Sequence, residues 1–240
     1  METRGITALV TGATRGIGLS LVGALLEQGA AKVYATGRQV ADLEIAAALD
    51  PTRVVPLQLD VANGADRFRV AQAASDVDVL FNNAGVLQFG SVLDVSSAAV
   101  AKEFEVNCFG LLHMTRAFAP ALVAHNGAVV NMLTLVAFAS MPGLGAYSAS
   151  KAAAWSITQS IRADFAKRGV QVFGVFPGAV DTDMIRALDM PKAPPRIIAA
   201  AVLDGIQADT EDIFPDPMSQ ALYAQWVTDH KGVERQFASM

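Results

Sequence analysis

A tyrosine and a lysine stand four residues apart in the segment Tyr147-Ser148-Ala149-Ser150-Lys151. On a helix, this spacing places the two side chains on one face. An ammonium group beside a phenol lowers the pKa of the phenol from about 10 toward the working range of an enzyme. Tyr147 is therefore a candidate general acid that protonates a carbonyl oxygen. The alternative is a pair on a helix surface without a catalytic role.

A glycine-rich stretch lies between a short apolar run and a segment with helical spacing. It reads Thr11-Gly12-Ala13-Thr14-Arg15-Gly16-Ile17-Gly18. Glycines let the backbone turn sharply and approach a pyrophosphate, and the following helix offers free N–H groups and the positive end of its dipole. Many strand–helix turns need glycine, but the order strand, turn, helix favours a dinucleotide site. The predicted cofactor residues here are Gly12, Thr14, Arg15, Gly16, Ile17 and Gly18.

A second cofactor signal ends the next apolar run, in the segment Ala35-Thr36-Gly37-Arg38. Dinucleotide folds that bind NAD place an acidic residue roughly 20 positions beyond the glycine-rich turn. This chain has Gly37 and Arg38 there, and a guanidinium binds a 2′-phosphate that a carboxylate would repel. With Arg15 approaching from the other side, the pattern predicts NADP(H) rather than NAD(H). The alternative is that both arginines are merely solvated.

Short β-branched runs alternate with longer helical stretches along the chain. The predicted strands are Ile6–Val10, Lys32–Thr36, Arg53–Leu59, Val77–Phe81, Ala128–Leu133, Val170–Phe176 and Glu211–Phe214. The predicted helices are Leu19–Gln28, Ala41–Leu49, Ala65–Ala74, Ala98–Ala124 with a bend near Pro120, Ala146–Lys167, Arg196–Ile206 and Ser219–Phe237. Continuous apolar strands joined by helices are typical of parallel sheets covered on both faces. We therefore predict a single α/β domain over residues 1–240, a three-layer αβα Rossmann fold with a doubly wound parallel sheet of about seven strands.

Composition excludes several classes of partner. The chain has 240 residues, of which 52% are hydrophobic and 17% are charged, and a net charge of -5. No cluster of Lys and Arg provides an electrostatic footprint for nucleic acid or an anionic membrane. The single cysteine, Cys108, excludes an internal disulfide and fits a reducing compartment, so we expect a cytoplasmic protein. The three histidines lack the spacing of a shared metal site, so no metal is predicted.

Further motifs follow the later strands. They are Leu59-Asp60-Val61, Asn82-Asn83-Ala84-Gly85, Asn107, the strand that ends at Thr134, and Pro177-Gly178 followed by Thr182. Together with the glycine-rich turn, they give the chain a resemblance to the short-chain dehydrogenase/reductase family over nearly its whole length, up to about Asp183. Asn107 lies 27 positions before Thr134, which lies 13 before Tyr147, and these spacings match the family's Asn–Ser–Tyr–Lys tetrad.

The resemblance implies a role for each matching residue. Tyr147 would be the acid–base group, Lys151 would lower its pKa and hold the nicotinamide ribose, and Asn107 would relay a proton through water to Lys151. Asp60 and Val61 would flank the adenine. The segment that would stabilise the sheet and lie along the cofactor is Asn83, Ala84 and Gly85, and the residues that would cradle the nicotinamide and its phosphate are Pro177, Gly178, Val180 and Thr182.

The chain departs from the family pattern at two places. Thr134 stands where the family usually has serine; it keeps the hydroxyl donor, but its methyl group stiffens χ1 and takes pocket volume. We expect Thr134 to polarise the carbonyl group, and the alternative is that it only packs against the sheet. The tail that follows Asp212 lacks the glycine-rich signature of the β-ketoacyl carrier-protein reductases. This difference argues against a role in fatty-acid synthesis and against the tetramer of that group.

The resemblance and the two arginines together predict an enzyme that reduces a ketone or aldehyde to an alcohol with NADPH. The family builds its substrate pocket where this chain has Phe89, Met141, Leu144, Met184 and Ile185, whose apolar character suggests a hydrophobic substrate. A short substrate lid, residues 183–200, would leave the pocket open to bulky ketones.

Two other functions stay open at this point. A secondary-alcohol or steroid-type dehydrogenase would use the same residues in the oxidative direction. A non-catalytic dinucleotide-sensing protein is the second alternative, although such relatives typically lose the Tyr–Lys pair that this chain keeps. The predicted partners are a small carbonyl or alcohol substrate and further copies of the chain, because the helices Ala98–Ala124 and Ala146–Lys167 could form the contact of a homodimer or homotetramer.

Overall fold

The middle layer of the structure is a seven-stranded sheet in which every neighbouring pair of strands runs parallel. The structure is a computed structural model and describes residues 1–240. The strands are β1 (Thr7–Thr11), β2 (Lys32–Gly37), β3 (Val54–Gln58), β4 (Val79–Asn82), β5 (Ala128–Met132), β6 (Gln171–Val175) and β7 (Asp212–Ile213). Their order is β3-β2-β1-β4-β5-β6-β7, so the direction of winding reverses between β1 and β4. Such a reversal is the point at which doubly wound folds bind ligands, beyond the carboxyl ends of the strands.

Helices cover both faces of the sheet. They are α1 (Gly16–Glu27), α2 (Glu44–Ala47), α3 (Gly64–Ala73), α4 (Ser97–Phe104), α5 (Leu111–Ala124), α6 (Gly145–Ala166), α7 (Pro195–Gln207), α8 (Pro217–Thr228) and α9 (His230–Ala238). None of them combines the length and the apolar composition that a membrane-spanning helix requires.

Strand β1 contributes alternate residues to two separate cores. Ala8 and Val10 belong to a core that includes buried residues of α1 and α7, whereas Leu9 belongs to a core that includes buried residues of α3, α5 and α6. Side chains of a strand alternate between the faces of a sheet, so a strand that is buried on both faces must be apolar at every position. This requirement made the strands readable in the sequence, and the structure confirms the predicted three-layer αβα fold.

The predicted helix Ala98–Ala124 is present, but it is not α-helical throughout. A π-helical turn, Glu105–Gly110, separates α4 from α5 and contains Asn107. A Cβ atom at Gly110 would lie 2.9 Å from Val61 Cγ2, so glycine is what lets this turn approach the segment that follows β3. The interruption depends on that long-range contact, and helical spacing alone could not reveal it. Turns of this kind occur frequently at functional sites.

The predicted helix Ser219–Phe237 is also two helices, α8 and α9, which meet at Asp229. The Asp229 side chain accepts a hydrogen bond from Gly232 N and caps the start of α9. Asp216 caps α8 in the same manner, through the N–H group of Ser219. Aspartate is a preferred N-cap residue, so Asp229 was a sequence signal for the start of a new helix. The continuous apolar spacing of the segment hid this signal.

Candidate active site

One cleft opens beyond the carboxyl ends of the strands, at the reversal between β1 and β4. Its volume is about 350 Å³, and its walls come from the segments that follow the strands of the sheet. The structure brings together along it all the residues that the sequence predicted for the cofactor: Gly12, Thr14, Arg15, Gly16, Ile17, Gly18, Gly37, Arg38, Asp60, Val61, Asn83, Ala84, Gly85, Tyr147, Lys151, Pro177, Gly178, Val180 and Thr182.

The glycine-rich turn adopts backbone conformations that require glycine. The φ angle is +67° at Gly12 and +55° at Gly16, in the left-handed region. A Cβ atom at Gly18 would lie 2.1 Å from the carbonyl oxygen of Gly12, so the start of α1 packs directly on the turn. The first turn of α1 carries no acidic residue. Its free N–H groups and its positive dipole end are therefore available to an anion.

Hydrogen bonds tie the glycine-rich turn to the end of β4. Thr11 Oγ1 accepts from the N–H groups of Asn83 and Ala84, each at 2.9 Å, and donates to the carbonyl oxygen of Phe81 at 3.2 Å. Asn83 Nδ2 donates to the carbonyl oxygens of Thr11 and Gly12 at 2.9 and 3.1 Å. These bonds cross the reversal between β1 and β4 and fix the floor of the cleft.

Two arginines give one end of the cleft a positive charge. Arg38 is exposed and has no carboxylate partner, whereas Arg15 pairs with Asp183 at 3.3 Å while its side chain stays 71% exposed. A Cβ atom at Gly37 would lie 2.7 Å from Thr14 Cγ2. At the position that carries an acidic residue in NAD-binding folds, this chain has a glycine, and a side chain there would have to displace the Thr14 methyl group.

Tyr147 and Lys151 lie in the first two turns of α6 and face the cleft. Lys151 Nζ is 5.9 Å from the centre of the Tyr147 ring and donates a hydrogen bond of 2.7 Å to the Met132 carbonyl oxygen, at the end of β5. The Lys151 side chain is buried, and the Tyr147 hydroxyl has no hydrogen-bond partner within the chain. The phenol is therefore free to bind a ligand in the cleft.

The predicted lowering of the Tyr147 pKa is wrong. Burial raises the pKa of Tyr147 above its ordinary value, and the Glu103 carboxylate acts in the same direction. Burial also lowers the pKa of Lys151 to about 8. Desolvation disfavours the charged form of each group, and across this separation it outweighs the attraction between ammonium and phenolate. Tyr147 is therefore held in its protonated form, which is the form that a proton donor needs.

Thr134 follows β5 and lines the cleft beside Tyr147. Its Oγ1 lies 3.4 Å from the N–H nitrogen of Val136 and 3.5 Å from the carbonyl oxygen of Pro177, both at the long limit of hydrogen bonding. The hydroxyl therefore has no strong partner in the protein and can turn toward a ligand. This favours the carbonyl-polarising role over simple packing, although that role stays a prediction.

Asn107 lies behind the cleft, beside an internal cavity of about 10 Å³ that Lys151 also lines. Its Oδ1 accepts from Val86 N at 2.8 Å, and its Nδ2 donates to Val86 O at 2.9 Å and to Ser150 Oγ at 3.0 Å. Both amide protons of Asn107 are therefore in use. In a proton relay toward Lys151, the water molecule would have to donate to the second lone pair of Asn107 Oδ1. A cavity of this volume holds about one water molecule. The predicted proton relay is compatible with this arrangement and stays a prediction.

The far half of the cleft is apolar and contains most of the residues predicted for the substrate: Met141, Leu144, Met184 and Ile185. The prediction for Phe89 is wrong, because its side chain is 40% exposed and lies outside the cleft. The backbone beside it is tied to another loop through the Gly90 N–H group, which donates to the Gly143 carbonyl oxygen at 2.9 Å. That contact between distant segments was not visible in the sequence.

Sequence reasoning missed a wall of this half of the cleft. Met218 of α8, Phe237 of α9 and Met240 line it together with Leu188 and Met190. Of the eight methionines in the chain, six line the cleft: Met132, Met141, Met184, Met190, Met218 and Met240. The concentration of methionine after residue 183 was the signal that could have found this wall.

A dinucleotide-type cleft that ends at a free phenol and a buried lysine defines a nicotinamide-dependent oxidoreductase. The family model described as short chain dehydrogenase matches residues 6–192 of the chain. The chain belongs to the short-chain dehydrogenase/reductase family, whose members use nicotinamide cofactors.

Two solved structures match the fold over nearly the whole chain, and a curated relative matches most of its sequence. A short-chain dehydrogenase from Burkholderia cenocepacia, crystallised in complex with NADP, is 38% identical, with a TM-score of 0.93 and 99% of both chains covered. A family member from Burkholderia phymatum in complex with NAD is 25% identical, with a TM-score of 0.87 over 98% of this chain and 96% of that one. A sorbitol dehydrogenase from Cereibacter sphaeroides is 29% identical over 89% of each protein. The named cofactors differ, so the choice between them for this chain depends on its own residues.

The groups that line the cleft fit a nicotinamide dinucleotide. The free N–H groups at the start of α1 suit a pyrophosphate, and Gly12 and Gly16 let the backbone come close to it. Asp60 and Val61 line one end of the cleft. Tyr147 and Lys151 line it further along, next to its apolar half. The residues therefore suit an extended ligand whose reactive end meets the Tyr147 hydroxyl.

Proposed function

We propose that the protein is an NADPH-dependent carbonyl reductase. The observation that carries the proposal is one continuous cleft that joins two arginines at one end to a free, protonated Tyr147 at the other. The absence of an acidic side chain at position 37 supports NADPH over NADH. The relative from Burkholderia cenocepacia, which was crystallised with NADP, supports the same choice.

Reduction adds a hydride to the carbonyl carbon and a proton to the carbonyl oxygen. The nicotinamide, when bound, supplies the hydride. Tyr147 donates its hydroxyl proton to the oxygen, and an alkoxide is a much stronger base than a phenolate, so the raised pKa of Tyr147 does not prevent the transfer. The Thr134 hydroxyl donates a hydrogen bond to the same oxygen and stabilises the charge that develops there. Lys151, held by the Met132 carbonyl oxygen, keeps its ammonium beside the phenolate until solvent returns the proton.

The substrate class follows from the apolar half of the cleft. Most of the side chains that line it after β5 and in the C-terminal third are apolar: Leu135, Val136, Met141, Leu144, Met184, Ile185, Leu188, Met190, Met218, Phe237 and Met240. Methionine side chains are unbranched and flexible, so they adapt to ligands of different shape. The substrate that fits best is therefore a bulky, apolar ketone or aldehyde, and a range of such compounds should be accepted.

A panel of alkyl and aryl ketones of increasing size tests both parts of the proposal. NADPH consumption and alcohol formation are measured together, and we expect kcat/KM to increase with the apolar size of the ketone. Tyr147→Phe should lower kcat by roughly 10²–10⁴-fold, as expected for loss of a general acid, while NADPH binding is kept. Tyr223→Phe is the matched control, because Tyr223 stacks on Phe214 away from the cleft.

Two results would contradict the proposal. Equal turnover by Tyr147→Phe and the wild type would remove Tyr147 from the mechanism. Strict preference for one small polar substrate would refute the substrate class. A protein that binds NADPH but reduces no carbonyl compound would instead be a non-catalytic dinucleotide sensor.

The oxidative direction is a second candidate, because one relative is a sorbitol dehydrogenase and another was crystallised with NAD. The apolar half of the cleft argues against a polyol, since its walls offer few partners to several hydroxyl groups. Initial rates of oxidation of sorbitol and of bulky secondary alcohols, with NAD⁺ and with NADP⁺, distinguish the two. Faster oxidation of sorbitol with NAD⁺ would replace the reductase proposal.

Three further predictions about the whole protein remain. Residues 183–200 would act as the lid of the substrate pocket, and Met184, Ile185, Leu188 and Met190 of this segment line the cleft. The helical segments Ala98–Ala124 (α4, the π-helical turn and α5) and Ala146–Lys167 (α6) would form the contact of a homodimer or homotetramer, which analytical ultracentrifugation would detect. The cytoplasmic location is checked by fractionation of cells that express the protein.

A further inference from the structure

A carboxyl group without a charged partner is buried near the active site. Glu103, in the last turn of α4, is 1% exposed. Its Oε1 accepts a hydrogen bond of 2.7 Å from the Gln88 N–H group, and its Oε2 has no hydrogen-bond partner. No lysine, arginine or histidine forms an ion pair with it. A buried carboxyl of this kind is unfavourable for folding unless it stays protonated or serves the site that it adjoins.

Glu103 and Asn107 together hold the chain segment that follows β4. They are four residues apart, and Asn107 makes two hydrogen bonds to the backbone of Val86, with Oδ1 as acceptor and Nδ2 as donor. Glu103 adds the third bond, two residues further along, at Gln88. Val86 and Leu87 line the cleft. Glu103 therefore helps to set the position of a wall of the active site.

The same carboxyl group also acts on the catalytic tyrosine. Helix α4 packs against α6, which carries Tyr147 and Lys151, and against the π-helical turn, which carries Glu105 and Cys108. Burial raises the pKa of Glu103. When Glu103 ionises, its negative charge raises the pKa of Tyr147 further, because two like charges in a desolvated site disfavour one another.

We propose that Glu103 is a positioning residue of the active site: its hydrogen bond fixes the backbone at Gln88 and, with the two bonds of Asn107, holds the wall of the cleft that Val86 and Leu87 form. The inference rests on the proposed function, since this wall lies along the cleft that would hold the cofactor and the ketone.

Two variants separate the charge of Glu103 from its hydrogen bond. Glu103→Gln removes the charge and keeps an oxygen that can accept from Gln88 N, whereas Glu103→Leu removes both. In Glu103→Gln, we expect amide hydrogen exchange at Gln88 and the KM for the ketone to stay close to those of the wild type. In Glu103→Leu, we expect faster amide hydrogen exchange at Gln88 and a higher KM for the ketone.

Unchanged amide exchange at Gln88 in Glu103→Leu overturns the positioning role. An equal increase of exchange in Glu103→Gln and Glu103→Leu overturns it as well, because glutamine keeps the accepting oxygen. Amide exchange is measured without turnover, so faster exchange at Gln88 in Glu103→Leu alone supports the inference even if no ketone is reduced.

Discussion

Replacing Arg38 by alanine removes the guanidinium best placed to bind a 2′-phosphate. Arg38 is exposed at the end of β2 and has no carboxylate partner. Arg15, on the opposite side, is paired with Asp183 at 3.3 Å and would have to share its charge between that carboxylate and a phosphate. We therefore expect Arg38 to contribute more than Arg15 to the discrimination between NADPH and NADH.

The size of the effect follows from the environment of the side chain. A hydrogen bond to a charged group contributes about 1.5–3 kcal/mol when it is shielded from water. Arg38 is exposed, and screening by solvent reduces such contributions, so we expect a loss of about 1–2 kcal/mol. This corresponds to a dissociation constant for NADPH that is roughly 5–30-fold higher. The affinity for NADH, which has no 2′-phosphate, should not change.

Fluorescence titrations of each cofactor at low and at high salt provide the assay. The affinity of the wild type for NADPH should fall with salt more steeply than that of Arg38→Ala, because the variant has one fewer charge to be screened. Arg4→Ala is the matched control, since Arg4 precedes β1 at the opposite end of the sheet from the cleft. Equal loss of affinity for NADPH and NADH in Arg38→Ala, or no loss for either, would refute the assignment of the 2′-phosphate site.

Three further predictions concern the cleft. Gly18→Ala should abolish cofactor binding and lower the melting temperature, because its Cβ would lie 2.1 Å from the Gly12 carbonyl oxygen. Gly23→Ala in the same helix is the control: its Cβ meets no atom within 4 Å, so it should stabilise the protein by about 0.5–1 kcal/mol. Gly37→Asp should weaken NADPH binding without creating tight NADH binding, because a threonine methyl lies 2.7 Å from the new Cβ; a nanomolar NADH site would contradict this. Lys151 titrates near pH 8 in the folded protein and near 10.5 in the unfolded chain, so the unfolded chain binds more protons between these values. Urea unfolding should show the wild type gaining up to about 3 kcal/mol of stability relative to Lys151→Met as the pH rises through that window, and a constant difference would contradict the lowered pKa.

The cofactor half of the site could be predicted because it is built from local patterns. Each strand that is buried on both faces appears as a continuous apolar run, and in a parallel sheet the residues that follow the strands meet at one edge. The glycine-rich turn, Arg38 and Asn83 could therefore be placed together although they are far apart in the chain. The motif spacings placed Thr134 and Tyr147 at the same edge.

The parts that could not be predicted depend on contacts between distant segments. The interruption of the helix at Asn107 requires Gly110 to approach the segment after β3, and the exposure of Phe89 depends on a bond to another loop. The direction of the Tyr147 pKa shift was wrong because the degree of burial is a property of the folded protein, and the short sequence motif suggested only the opposing charge. The partnerless carboxyl of Glu103 was invisible for the same reason.

The central claim is that Tyr147 gives its proton to a carbonyl group held beside a bound nicotinamide, and a crystal structure with NADP⁺ and an unreactive ketone analogue tests it most directly. The account predicts the ketone oxygen within about 2.6–3.2 Å of the Tyr147 hydroxyl, among the methionines of the apolar half. It also predicts the 2′-phosphate against Arg38. A nicotinamide bound away from Tyr147, or a ketone whose oxygen points away from that hydroxyl, would contradict the account.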